Sequence, residues 1–525
     1  MSRSDGQHCG GRVAGLLLVC TVLVLSACAS LAPEPAAAPE QVMFESPLAE
    51  IDEGVRLDPG EEMWNGFGEA VDVRGDLLVI GANDWNTDGE GSAYVYRLSA
   101  AGGEWQEEAH LTPTDGMDWE QRQTSTAKRF GSAVAIGDGI IAIGAPGSDD
   151  SVGGAVYLFE QVGSEWMETA KLAPDGLIQG SAQADGGLLT NGRMRRRSFG
   201  ALVALDGNTL AVGGDSATDS VRIFERNEQE WQEQATILIA QRSDRDLYMV
   251  SMALQGDSLA LSAFYVLPRQ EQDATLVGNV VVYVFERDGD AWEERLRYGP
   301  DGDEAEFVFL REVNIGASVA LSRAAGRANR LAVGLQGFPD LSEVDLRQFP
   351  MWTGYPGPGE ERPEIPGFPA SARETGLVTV FEQAANGDWL QQATLIPSGA
   401  DNAPRPGYAF SDNPRAMFDP ANIADVVFPG HLFSEAPAIT FFGATVDLDV
   451  NQLAVTSGYA NTTYVFERQE LDWLYRFKIR SNDGEMSEDY AQVATISGDT
   501  LLLGTPGEFG NSAHVFRLDR EGHDD

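Results

Sequence analysis

The chain has 525 residues, and its 81 acidic against 36 basic side chains leave a net charge of −45 at pH 7. Such an excess argues against nucleic acid and bare anionic lipid as partners of the folded surface. The only cysteines are Cys9, Cys20 and Cys28, so a disulfide framework is excluded and the fold must be held by burial, for which this length is ample.

At the N-terminus, Arg3 and Arg12 precede an apolar run over residues 13–25. The run is short for a bilayer span and reads as a signal peptide over residues 1–27. It ends in Leu25-Ser26-Ala27-Cys28, which resembles the lipobox of bacterial lipoproteins. That resemblance implies acylation of Cys28, which becomes the first mature residue and a lipid anchor in the membrane; two or more acyl chains make such anchoring stable. An ordinary secretory signal cleaved after a small residue is the alternative. Ala29 stands where an Asp is associated with inner-membrane retention. The expected location is therefore the cell envelope, at the outer membrane or cell surface if the cell is Gram-negative. Residues 28–47, rich in Ala, Pro and Glu, are expected to be a flexible tether. Removing residues 1–27, with two Arg and one Asp, takes the net charge from −45 to −46.

Beyond the tether one pattern recurs. Its first copy opens at Phe67-Gly68, and the clearest begins at Phe130-Gly131. In that copy a strand to Ile136 is followed by a turn at Gly137-Asp138-Gly139, then a second strand ending in Gly144-Ala145-Pro146. A third strand follows over residues 154–159 and a fourth over 166–172. Short runs of Val, Ile, Ala and aromatics between Gly and Asp signals are all-β patterning. Further copies open at Phe199-Gly200, near Val250 without the Phe-Gly pair, near Asn314, at Phe442-Gly443 and near Tyr490, for a total of seven. Fourth strands open at Trp105, Trp166, Trp231, Trp292, Trp389 and Trp473. Packing between neighbouring repeats is the expected role of these indoles. The last copy has no fourth strand, but Val55-Arg56-Leu57 resembles Ala170-Lys171-Leu172 at the end of the second.

With Phe130-Gly131 and Gly144-Ala145-Pro146, the pattern resembles the FG-GAP repeats of integrin α-subunit propellers and bacterial surface proteins. The resemblance implies an all-β, seven-bladed β-propeller of four-stranded antiparallel blades, and extracellular recognition. The ring is expected to close through the N-terminal strand 55–57 completing the last blade against residues 513–516, which removes two exposed sheet edges. The propeller is expected over 48–518, with an acidic tail at 519–525.

Calcium-binding members of that family carry an Asp-rich loop between first and second strands, whereas Gly75-Asp76, Asp138-Gly139, Asp206-Gly207-Asn208, Gly256-Asp257 and Gly498-Asp499 are hairpin turns. Asp447, Asp449 and Asn451 keep a partial oxygen-ligand spacing without the glycine that bends such a loop. A second calcium candidate is Asp84, Asn86 and Asp88, followed by Gly89 and Glu90. These residues match the opening half of an EF-hand loop but lack its terminal bidentate Glu; an ordinary polar loop is the competing reading. Arg74-Gly75-Asp76 spells an integrin-recognition tripeptide, but it sits in a repeated turn. The basic island of Arg193, Arg195, Arg196 and Arg197 falls in a loop.

Catalytic constellations are hard to assemble from four histidines after residue 27 and no HExxH or GxSxG, so no enzyme is expected. A paired-carboxylate hydrolase site in the channel is a weaker alternative, since no pair stands out from the acidic background. Antiparallel alternation assigns the insertions 112–129, 173–198, 336–375 and 396–440 to one face, where loops on a rigid frame usually carry binding. Trp352, Tyr355, Tyr408 and His431 are the ligand-face candidates. The expected function is a binding or adhesion module for a protein or glycan, acting as a monomer; an envelope-assembly scaffold is the alternative.

Overall fold

The computed structural model describes residues 40–44, 49–51, 54–59, 65–83, 90–99, 103–115, 129–147, 154–174, 189–190, 193–194, 198–215, 220–228, 230–239, 246–266, 275–298, 307–310, 317–322, 329–335, 376–397, 442–457, 462–470, 472–480, 493–505 and 512–518. Chain contacts set residues 1–40 apart from 41–525, and the propeller belongs to the second unit. Among the described residues all regular structure is β.

Seven antiparallel sheets form the blades of a propeller. Their first strands are Phe67–Arg74, Ala133–Ile136, Leu202–Asp206, Asp246–Gln255, Ala317–Ser322, Phe442–Asp449 and Val493–Ser497, in blades 1 to 7. Each first strand touches those of the blades before and after it, and the seventh touches the first, so the ring is closed around its inner strands. Turns join first to second and third to fourth strands on one face, the turn face, and are short wherever the first-to-second connection is described, which leaves out residues 323–328 of blade 5. Longer connections leave from the opposite loop face, among them residues 336–376 and 398–441.

The core is divided among the seams. Each of the seven large buried clusters mixes side chains from two neighbouring blades. Trp105, Trp166, Trp231, Trp292, Trp389 and Trp473 all pack in the cluster shared with the preceding blade. They are seam fillers, as their repeat position implies.

Closure occurs where the sequence places it. Val55–Leu57 pairs antiparallel with the third strand of blade 7, with Val55 opposite Val515, Arg56 opposite His514 and Leu57 opposite Ala513. Leu57 joins the cluster between blades 7 and 1, beside Phe67, Val71, Leu502 and Val515. Only one of the strand's two apolar side chains is buried: Leu57 is 7% exposed and Val55 54%.

The N-terminal segment does more than close the ring. Glu40–Phe44 adds a fifth strand outside Trp389–Pro397 of blade 5, and Ala49–Ile51 pairs in parallel with Asp472–Arg480 of blade 6. The tether expected over 28–47 therefore ends earlier. Gln-Val-Met-Phe over 41–44 is a strand-forming run, which the Ala- and Pro-rich composition around it obscured. Residues 1–39, including Cys28, and 519–525 lie outside the described residues.

Hairpin chemistry on the turn face is as expected, with Gly75, Gly139, Gly207, Gly256 and Gly498 at φ of +56° to +73°. Blade 6 departs from this: Val450 occupies the glycine position at φ +44°, a strained choice for a β-branched residue. The Ser322 hydroxyl accepts its N–H at 2.7 Å, and its carbonyl accepts from Arg330.

Because closure rests on one buried side chain, Leu57→Ala should destabilise the protein by about 2 to 5 kcal/mol. Val55→Ala should change stability by less than about 0.5 kcal/mol. Urea denaturation of the two variants measures the contrast.

Candidate functional site

A first strand has a neighbour on one side only, so every second N–H points away from its sheet toward the channel. At six of the seven seams a side chain of the preceding blade accepts from such a group. In blade 1, alternate positions Ala70, Asp72 and Arg74 face blade 2, while Val71 and Val73 are buried toward blade 7. The carboxylate of Asp72 accepts the N–H of Ile136 in blade 2 at 2.6 Å and that of its neighbour Val73 at 2.8 Å.

The equivalent of Asp72 in blade 6 is Asp447, which accepts from the Ile496 N–H at 2.7 Å and the Thr495 hydroxyl at 2.8 Å, both in blade 7. One level nearer the loop face, Ser251 Oγ accepts the Val319 N–H at 3.2 Å, and Ser318 Oγ the Val446 N–H at 3.0 Å. One level nearer the turn face, Asp206 accepts the Gly256 N–H at 2.7 Å, Asp449 the Gly498 N–H at 2.6 Å, and Ser497 Oγ the Gly75 N–H at 3.2 Å. Such locks join every pair of neighbouring blades but the second and third.

Asp447 and Asp449, whose alternate spacing suggested calcium, thus carry neighbouring backbone donors. Asn451 lies beside Arg330, its Oδ1 3.4 Å from Nη1. The Arg74-Gly75-Asp76 turn is likewise internal in its bonding. Arg74 pairs with Asp138 at 2.8 Å and Asp206 at 3.8 Å, and Asp76 with Arg97 at 3.3 Å.

The other calcium candidate springs from the seam between blades 1 and 2. Asp84, Asn86 and Asp88 lie outside the described residues; of the set only Glu90 is described, and its carbonyl accepts the Phe130 N–H at 2.8 Å. At the loop's other root Asn83 is 3% exposed and donates to Glu69 at 2.6 Å. Among the described residues no cluster of three or more His, Cys, Asp or Glu could hold a metal. Trp352, Tyr355, Tyr408 and His431 lie outside the described residues, as do Arg195, Arg196 and Arg197. Arg193 lies in a two-residue ladder, Leu189–Thr190 with Arg193–Met194.

The Phe-Gly pairs staple the loop-face ends of the seams. Gly68, Gly131, Gly200 and Gly443 take φ of +86° to +93°. A Cβ on Gly131 would lie 2.3 Å from the Ser92 carbonyl oxygen, and one on Gly81 would lie 2.0 Å from that of Gly131. Two backbones meet where neither can carry a side chain. The accompanying Phe67, Phe130, Phe199 and Phe442 pack edge-on against Tyr94, Tyr157, Phe224 and Tyr464 of their third strands.

A further belt escaped the sequence reading. After the third-strand aromatic comes a Glu followed by Arg or Gln, and these link successive blades. Glu160 pairs with Arg226 at 2.5 Å and Glu382 with Arg468 at 2.8 Å; Glu225 pairs with Arg287, and Glu286 accepts from Gln383 at 3.1 Å. Recurrence of Phe-Glu-Arg at 224–226, 285–287 and 466–468 was the available signal.

Burial pushes the Asp72 carboxyl up to about 7; the Ile136 N–H opposes this and the Asp447 charge reinforces it. Asp447 is likewise raised, first by burial. Ionisation of Asp72 therefore opposes folding. Its contribution to stability is full below the ordinary value near 4 and is lost as pH rises through about 7. Asp72→Asn keeps one acceptor for Ile136 and removes the titration. Urea midpoints at pH 5 and pH 8 should therefore fall further with pH in the parent than in the variant.

Residues 64–96 and 105–159 match the FG-GAP repeat family, covering strands of the first two blades. No curated protein matches the chain. Among solved structures, the chain is similar to one in a mitotic checkpoint complex at 11% identity and TM-score 0.44, over 93% of this chain and 100% of that one. It is similar to the WD40 domain of Toxoplasma gondii coronin at 10% identity and TM-score 0.41, over 91% and 90%. It is also similar to a periplasmic gluconolactonase of Pseudomonas aeruginosa at 11% identity and TM-score 0.35, over 79% and 85%.

Proposed function

From FG-GAP repeats set in a closed seven-bladed propeller, we propose a cell-envelope lipoprotein that acts as a non-catalytic binding or adhesion module through its loop face. The observation that carries this reading is the asymmetry of the two faces. Among the described residues, the first-to-second hairpins of blades 1, 4, 6 and 7 each give a backbone N–H, of Gly75, Gly256, Val450 and Gly498, to a seam lock. The loop face receives the long connections 336–376 and 398–441, both from blade 5. Surface variation on a rigid frame is where recognition is placed without cost to the core. A protein or glycan is the proposed ligand, consistent with an acidic surface that repels nucleic acid.

The channel favours no hydrolase. Among the described residues of the inner strands, the half-buried Asp72, Asp206, Asp447 and Asp449 each accept a backbone N–H, which supports a role in holding the blades together. A scaffold for envelope assembly would use the same frame and differs in its partners.

Replacing residues 398–441 by a short Gly/Ser linker should abolish capture of a partner from native envelope while leaving the melting temperature of the propeller within a few degrees. Undiminished capture would move the binding surface elsewhere, and assembly machinery dominating the catch would favour the scaffold. The anchor is tested separately. Cys28→Ser should eliminate metabolic labelling by a fatty-acid analogue and move the protein out of the membrane fraction; a variant that still labels would remove Cys28 as the acylated residue.

A further inference from the structure

The seam locks are not uniform around the ring. In blade 2 the three positions that face the next blade are Ala133, Ala135 and Gly137, and none has a side-chain acceptor. Opposite them in blade 3 are the N–H groups of Val203, Leu205 and Gly207. At the equivalent places other seams supply Asp72, Asp206, Ser251, Ser318, Ser322, Asp447, Asp449 or Ser497. The lowest lock cannot simply be restored, because a Cβ on Gly137 would lie 2.8 Å from Cδ2 of Leu205.

What spans this place instead is Arg74 of blade 1. Its guanidinium reaches over blade 2, donating to Asp138 at 2.8 Å and to the Ile136 carbonyl at 3.4 Å, and meets Asp206 of blade 3 at 3.8 Å. Asp206 in turn holds Gly256 and Gln255 of blade 4. At the level of the inner strands, one half-exposed side chain thus ties blades 1 and 2 to blades 3 and 4 across the unlocked seam, which Glu160 and Arg226 bridge only farther out, at the third strands.

We infer that the ring parts first between blades 2 and 3, and that Arg74 is the latch over that seam. Opening there unpacks the cluster of Ala135, Ala142, Leu158, Phe199, Leu205 and Leu210 while the locked seams stay shut. An ion pair exposed at the surface makes such a latch weaker in salt. This conformational device stands apart from the loop-face reading and survives or falls without it.

The test uses thiol labelling of the full chain, resolved by site with mass spectrometry. Ala142 and Ala332 occupy equivalent second-strand positions, fully buried in the 2–3 and 5–6 seams. Under native conditions Ala142→Cys should react roughly tenfold faster than Ala332→Cys, the worth of about one hydrogen bond in the opening equilibrium. Adding Arg74→Ala should accelerate labelling at 142 and not at 332. Ala135→Ser, which supplies a hydroxyl opposite the Leu205 N–H, should slow it roughly fivefold or more. Equal rates at 142 and 332, or faster labelling at 332, overturn the weak seam. A rate at 142 unchanged by Arg74→Ala overturns the latch. If Arg74→Ala does not fold, the comparison of 142 with 332 and the response to Ala135→Ser still decide the seam.

Discussion

Seven strands line a channel with one edge unpaired, and the N–H groups along those edges must find acceptors inside the protein or in channel water. The molecule's organisation follows from that requirement. Side chains at alternate positions of each inner strand point toward the next blade, where a short acceptor such as Asp or Ser reaches the neighbouring N–H. A long side chain would overshoot, and an apolar one would leave the donor unmet. This explains why Asp72 and Asp447 are held half-buried against the burial penalty that, ahead of the neighbouring carboxylates, raises both their carboxyls.

Apolar burial and polar locking divide the same strand. Alternate positions such as Val71 and Val73, or Val446 and Leu448, pack one way into a seam cluster, and the positions between and beside them, such as Asp72, Asp447 and Asp449, bond the other way. Each blade is therefore stable only between two neighbours, and closure by Val55–Leu57 matters to all seven seams. Glycine staples at the loop-face ends and the Glu–Arg belt along the third strands add contacts at two further radii.

A frame fixed at three radii leaves the connections of one face free to vary in length without disturbing the seams. Asp and Ser side chains of the inner strands hold the blades together from the channel side. Their distribution also locates where compliance remains: the seam between blades 2 and 3, where alanine and glycine replace the inner-strand acceptors and Arg74 bridges the gap at that radius.

The sequence by itself determined the strand alternation, the turns, the seven repeats and the closing strand. Each of these is local: a two-residue period, Gly-Asp pairs that accept positive φ, and the likeness of Val55-Arg56-Leu57 to Ala170-Lys171-Leu172. Phe-Gly was legible as a motif, but its reason was not, because Gly131 is required by the carbonyl of Ser92 in another blade. Asp447, Asp449 and Asn451 show the same limit. Alternate oxygens on one strand look alike whether they await a cation or a neighbour's N–H, and only the register between blades 6 and 7 gives Asp447 to Ile496 and Asp449 to Gly498. The Glu–Arg belt and the reach of Arg74 to Asp206 likewise join residues far apart in the chain. Composition hid the strand Glu40–Phe44, whose partner lies over 300 residues away. Periodicity records which way a side chain points; what it meets there is decided when the ring closes.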